Sequence, residues 1–118
     1  MNLPEELIRD STLTRKQVES LAIYLDVLSH QITMKQAAVS RPPRPITVGS
    51  YHRTVQQARN NIRSSLRTLM IAVWLGFVKP EELGRLLDLT GKRILEVDGE
   101  KYGRLTPVIE ALISKIVV

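Results

Sequence analysis

Apolar positions in this chain recur at steps of three and four over most of its length, the spacing of helices that bury one face. "TRKQ", Thr14 to Gln17, has the hydroxyl-to-glutamine spacing of a capping box. It predicts a helix running to about His30, with Val18, Leu21, Leu25 and Leu28 on one stripe. "TMKQ", Thr33 to Gln36, repeats the signature. The helix it opens has to stop before Pro42, because proline disfavours helical backbone in the residue preceding it. Ahead of both, Pro4, Glu5 and Glu6 suit the positive end of a short first helix. Pro42, Pro43 and Pro45 then hold "RPPRP" extended or turned. From about Thr47 to Leu75 the pattern predicts one long helix, with Val48, Tyr51, Val55, Ala58, Ile62, Leu66, Leu69 and Val73 as its core stripe.

Past Thr68 this helix is apolar all round, which implies burial on every side, either inside the domain or against a second subunit. Gly76 is its expected end. Pro80, Glu81 and Glu82 restart a helix that reaches about Leu89, with Gly91 as its stop. "RILEVDGEKYGRL", Arg93 to Leu105, sets an Asp-Gly pair between short β-prone runs and predicts a small β-hairpin. Thr106 and Pro107 then cap a last helix with Val108, Ile109, Leu112, Ile113 and Ile116 as its apolar face. Trp74 and Tyr24 read as packing residues. The predicted architecture is mainly α and a single domain over residues 1–118, with 68–118 supplying core and dimerisation helices.

Charge changes this picture more than composition does. The net charge is +5, yet between Val27 and Pro80 there is no acidic residue against eight Lys or Arg. The flanking segments are slightly negative. A block of one sign in an otherwise balanced chain points to a local anionic partner. Projected at helical pitch, Gly49, Arg53, Gln56, Gln57, Asn60, Ser64 and Arg67 lie opposite the core stripe, with Arg59 and Arg63 on its shoulder.

Catalysis finds little support. There are no cysteines, so thiolate metal sites, disulfides and cysteine nucleophiles are excluded. His30 and His52 have no ligand-spaced carboxylates near them, and His30 reads as a helix C-terminal residue. Neither a phosphate-cradling glycine pattern nor a nucleophile elbow is present. The chain is therefore expected to be no enzyme, with no metal and no cofactor. A cysteine-free chain fits a reducing interior. "MNLPEELIRD" lacks a basic-then-apolar signal pattern, and the longest apolar run, Leu69 to Val78, is about half of a membrane span. A cytoplasmic location follows as the expectation, with nucleoid association if the source is prokaryotic.

Nucleic acid suits the basic face directly. Arginine neutralises phosphate and pairs bidentately with guanine, and Gln and Asn pair in the same manner with adenine. A helix start presenting Gly49, Ser50, Arg53, Gln56 and Gln57 has the surface that enters a major groove end-on. Thr47 and Ser50, together with the free backbone N–H groups, suit phosphate. Asn60 and Arg63 extend the same face. Arg41 and Arg44, flanked by prolines, either reach a minor groove or phosphates, or keep the turn soluble. With one Phe and one Trp, no aromatic platform for single-stranded RNA is apparent.

"VGSYHRTVQQAR", Val48 to Arg59, resembles the recognition helix of sigma-factor region-four domains, above all the extracytoplasmic-function type. The likeness lies in the Val-Gly opening, the apolar residue at Val55 and the Ala58-Arg59 pair. "LTRKQVESL", Leu13 to Leu21, is similar to the first helix of those domains and of Tfx-like and LuxR-type regulators. "MKQAAV", Met34 to Val39, falls where their short second helix lies. The resemblance covers about Leu13 to Arg67. It implies a helix-turn-helix core over 13–67 with a long recognition helix, in which Val48, Gly49, Ser50, His52 and Arg53 carry DNA contacts. The chain departs from the pattern at "SRPPRPI", which is longer and stiffer than the usual tight turn, and it shows no second domain of the kind a sigma factor uses on polymerase. The expectation from all of this is a sequence-specific double-stranded DNA-binding protein, a transcriptional regulator acting as a homodimer through residues after Thr68. An effector ligand is not legible. The rival reading is a helical adaptor whose basic face docks an acidic partner such as a polymerase subunit.

Overall fold

The computed structural model describes residues 5–96 and 99–118, with side chains throughout these ranges except at 92–106. Among the described residues there are six helices and no strand: α1 (Glu5–Arg9), α2 (Arg15–Leu28), α3 (Met34–Ser40), α4 (Val48–Leu75), α5 (Pro80–Glu96) and α6 (Gly99–Ile116). They form two units, Ser11–Ser64 and Met1–Asp10 with Ser65–Val118. The division falls within α4, and α1 joins the C-terminal half.

In the unit Ser11–Ser64, both predicted capping boxes form. Thr14 Oγ1 accepts the Gln17 N–H at 3.2 Å while the Thr14 N–H donates to Gln17 Oε1 at 3.1 Å. The corresponding bonds of Thr33 and Gln36 are 3.2 and 2.8 Å. Each box satisfies two backbone donors that a helix start otherwise leaves open. At the other end of α2, His30 takes a left-handed conformation (φ 63°) beyond the C-cap Ser29. That is uncommon for a side chain other than Gly or Asn. Its strain is set against the bond from the Gln31 N–H to the Asp26 carbonyl, 2.9 Å.

Ala37, Ala38, Tyr51 and Val55 make the core here, with Leu21, Ile23, Tyr24, Val27, Ile32, Met34 and Ile46 packed on it. The two alanines allow α2 a close approach to α3 and leave room for Tyr51 and Val55 of α4 beside them. Ser20 has the same effect on α2, and it is fully buried. This corrects the stripe expected for α2: Leu25 and Leu28 are 63% and 58% exposed, while Leu21, Tyr24 and Val27 face inward. Apolarity alone favoured the leucines. The small serine beside Leu21 instead turns the helix so that the next residues three apart meet the core.

The Tyr51 hydroxyl donates to the Ser20 carbonyl at 2.8 Å. Burial, and after it the negative charges of Tyr24 and Asp26, push the Tyr51 phenol up from 10.0 to about 12. Below pH 10 the phenol is protonated in folded and unfolded chains alike, and its contribution to stability is whole. Between about 10 and 12 the unfolded chain releases this proton while the folded chain retains it, so stability falls with rising pH. Tyr51→Phe is expected to cost about 1 kcal/mol at neutral pH through the lost hydrogen bond. The same variant should remove this part of the alkaline loss, as chemical denaturation at pH 8 and at pH 11 would show.

In the second unit, α4 ends as expected. Gly76 is left-handed (φ 89°), and the Phe77 N–H returns to the Ala72 carbonyl at 2.9 Å. Ile8, Val78, Ile109 and Ile116 are buried, α1 and α5 pack on α6, and the Val118 N–H bonds the Phe77 carbonyl at 3.0 Å. Three expectations fail here. Gly91 lies inside α5, which continues to Glu96, and Pro107 lies inside α6, which begins at Gly99. The residues predicted as a hairpin are helical on both sides of Val97 and Asp98, which themselves fall outside the described residues. An interior glycine costs a helix only about 1 kcal/mol. Pro107 withdraws one hydrogen bond, and Ile109 and Ile116 secure the helix beyond it by burial. Apolar residues at Leu83, Leu86, Leu87 and Ile94 keep helical period through Gly91, and pairing of α5 with α6 outweighs the local preference for a turn.

Candidate nucleic-acid interface

α4 starts where its sequence says it should, because Thr47 caps it. The Ser50 N–H donates to Thr47 Oγ1 at 3.1 Å and the Tyr51 N–H to the Thr47 carbonyl at 2.9 Å. Tyr51, Val55 and Ala58, all buried, fix which side of the helix turns inward. Asn61 adds a polar tether: its Nδ2 donates to the Thr12 carbonyl at 3.2 Å and to Gln17 Oε1 at 3.3 Å. The Arg59 guanidinium lies over the Tyr24 ring, 5.8 Å from its centroid, a cation–π contact that binds α4 to α2.

With the inner side fixed in this way, Val48, Gly49, Ser50, His52, Arg53, Gln57, Asn60 and Arg63 are exposed, and Gln56 is half-buried. Thr47 is exposed while capping. Arg63 Nη1 donates to Asn60 Oδ1 at 3.0 Å, which aligns these two on the outer surface. Among the described residues, Arg44, Arg53 and Arg67 have neither an ion pair nor a side-chain hydrogen bond. The ion pairs Arg9–Asp10 and Arg15–Glu19 lie elsewhere. Nothing in the sequence from Val27 to Pro80 supplies a carboxylate to neutralise this face.

Two of the expected placements differ. Arg41 is 8% exposed at the C-cap of α3, and its Nε has no hydrogen-bond partner among the described residues. The chain folds back there, with the Ile46 N–H on the Ala38 carbonyl at 3.1 Å, so Arg41 turns inward while Arg44 stays outside. Of the expected core stripe, Val48, Ile62 and Leu66 are exposed, and the buried part runs from Tyr51 through Val55 to Ala58. Sequence reasoning missed Asn61 and the Arg59–Tyr24 contact. The signal for Asn61 was an amide three positions beyond Ala58, on the buried side of the helix.

Gly49 stands in the second position of the helix, and a Cβ built there meets nothing within 4 Å. Gly49→Ala is therefore expected to raise stability by a few tenths of a kcal/mol, up to about 1, by reducing the freedom of the unfolded chain. A thermal melt measures that gain. A simultaneous loss of duplex affinity would mark Gly49 as a point of close approach by a ligand.

Among the described residues, no group of three or more His, Asp or Glu is placed to hold a metal ion, and no helix is long and apolar enough to cross a membrane. No known protein family, curated protein or solved structure matches this chain.

Proposed function

We propose that the first half of α4 is the recognition helix of a helix-turn-helix protein that binds duplex DNA sequence-specifically and regulates transcription as a homodimer. The observation that carries this reading is the exposed, carboxylate-free face from Arg44 to Arg67, on which Arg44, Arg53 and Arg67 have no partner among the described residues. An ion-paired arginine has its charge balanced within the protein; among the described residues these three have no such pair. The resemblance of Val48–Arg59 to region-four recognition helices supports the same assignment.

In this reading α2 and α3 hold α4 by its Tyr51 side and the N-terminal turns enter the major groove. Arg53 and Gln57 read base edges, Arg53 toward guanine and Gln57 toward adenine. Ser50, the free N–H groups of the first turn, Arg44 and Arg63 meet phosphates. Gly49 allows the backbone near the DNA. Dimerisation through residues after Thr68 sets two such helices about 34–36 Å apart, so the site is two-fold related with half-sites one turn apart.

Selection from a randomised duplex pool, followed by footprinting of the winners, tests the proposal. A recovered two-fold motif protected from cleavage is the expected result. Equal affinity for all duplexes, or binding to acidic polypeptides as tight as to DNA, would favour the adaptor reading instead.

A further inference from the structure

The end of α4 is unusual for a helix apolar on all sides. Leu66, Met70, Ile71, Leu75 and Phe77 are more than half exposed, and Trp74 is 84% exposed. Together they present on the order of 600 Å² of apolar surface, the upper end of what a soluble monomer leaves open. In the same unit, the first turns of α5 and the last turns of α6 leave a cavity of about 300 Å³. Leu86, Leu89, Leu112 and Ile116 floor it, and Glu82, Arg85 and Lys115 stand at its rim. Among the described residues, Arg85 and Lys115 have no ion pair and no side-chain hydrogen bond.

We infer that Trp74 of one copy fills the α5–α6 cavity of a second copy, reciprocally about a two-fold axis. Size is the first match, since a cavity of this volume lies at the small end of organic-ligand sites and accommodates an indole. Charge is the second. The last turn of α4 carries no basic residue of its own, so its carbonyl end and the face of the indole are both open to cations. The rim of the partner cavity offers two cations, Arg85 and Lys115, against the one carboxylate of Glu82. Area is the third: the exposed end of α4 together with the cavity walls approaches the roughly 800 Å² that each side contributes to a stable interface. Leu69 to Val78 contains no charged residue, so this end of α4 brings no like charge to the cationic side of the rim. Reciprocal insertion closes the assembly at two copies. This deepens the homodimer of the reading above and rests on it, but not on the DNA contacts.

Trp74 is the only tryptophan, so emission excited at the red edge, where the three tyrosines do not absorb, reports on this side chain alone. From nanomolar to micromolar concentration, without DNA, the emission maximum is expected to move to shorter wavelength and acrylamide quenching to fall. Both changes should track a doubling of mass in sedimentation. Trp74→Ala should remain monomeric, with a thermal melt matching that of the wild type diluted to its monomer, because the side chain is exposed within its own chain. Leu89→Arg, placed in the cavity, should also abolish association. Mixing these two variants restores one intact indole and one intact cavity, so weak heterodimers should appear where neither variant associates alone. Emission at the solvent-exposed wavelength at every concentration, a dimer indifferent to Trp74→Ala, or assemblies growing beyond two copies would overturn the inference. With no DNA in the cell, a negative result leaves the duplex reading standing, and duplex selection can fail with the dimer intact.

Discussion

Arg53→Ala is expected to weaken binding to a preferred duplex by about 1–3 kcal/mol and to flatten the preference at a single base pair. Arg53 is exposed two residues beyond the buried Tyr51, so its direction is set by a core contact and its guanidinium has no competing partner among the described residues. Truncation at Cβ should therefore remove one contact without disturbing the helix. Arg63→Ala is the comparison. Held by Asn60 further along the same face, Arg63 is assigned to a phosphate, so its loss should weaken all duplexes alike and reduce the salt slope by about 1. Fluorescence anisotropy on a set of singly substituted duplexes at two salt concentrations separates the two behaviours. If Arg53→Ala matched the wild type on every duplex, α4 would not be in the groove.

The other large effect concerns the fold. Tyr51→Ala is expected to cost about 3–5 kcal/mol, the usual range for emptying a buried aromatic site. The ring is fully buried among Ala37, Ala38 and Val55, where two alanines cannot extend to fill the space, and the bond to Ser20 is lost with it. Domains are stable by only about 5–15 kcal/mol in total, so urea denaturation should show a midpoint displaced far below that of Tyr51→Phe. DNA binding is expected to fail in Tyr51→Ala and to survive in Tyr51→Phe. A small shift in both variants would mean that the cluster around Tyr51 is not the core of Ser11–Ser64.

The starts of α2, α3 and α4 were legible from a few adjacent residues, because capping is local chemistry. Thr14, Thr33 and Thr47 each accept the N–H three positions on, and all three starts could be read from the sequence. The end of α4 at Gly76 was equally local. Failures came wherever packing between helices decides. Gly91, Pro107 and the Asp98-Gly99 pair are strong local breakers, yet α5 and α6 extend across Gly91 and Pro107. The wrong stripe on α2 arose because Ser20 counts as polar in any pattern, whereas its small volume is what the core uses. For the candidate site, the exposed arginines and amides of α4 followed from helical projection. The inward turn of Arg41 did not, since it depends on how the loop folds back from Ile46 to Ala38.

The two matched capping boxes also bear on the order in which the chain is built. Each is complete within four neighbouring residues, so α2 and α3 have their start signals as soon as they are synthesised. Helix turns form in about a microsecond, while a ribosome adds only about 5–20 residues per second. The bond between Tyr51 and Ser20 spans 31 positions and has to await α4. A nascent chain therefore holds both start signals for seconds before the helix that unites α2 and α3 emerges, and until then such short helices form only transiently. The core closes late, and it closes on the arginine-bearing helix. A chain cut before Val48 would retain both caps and have no core to hold them together.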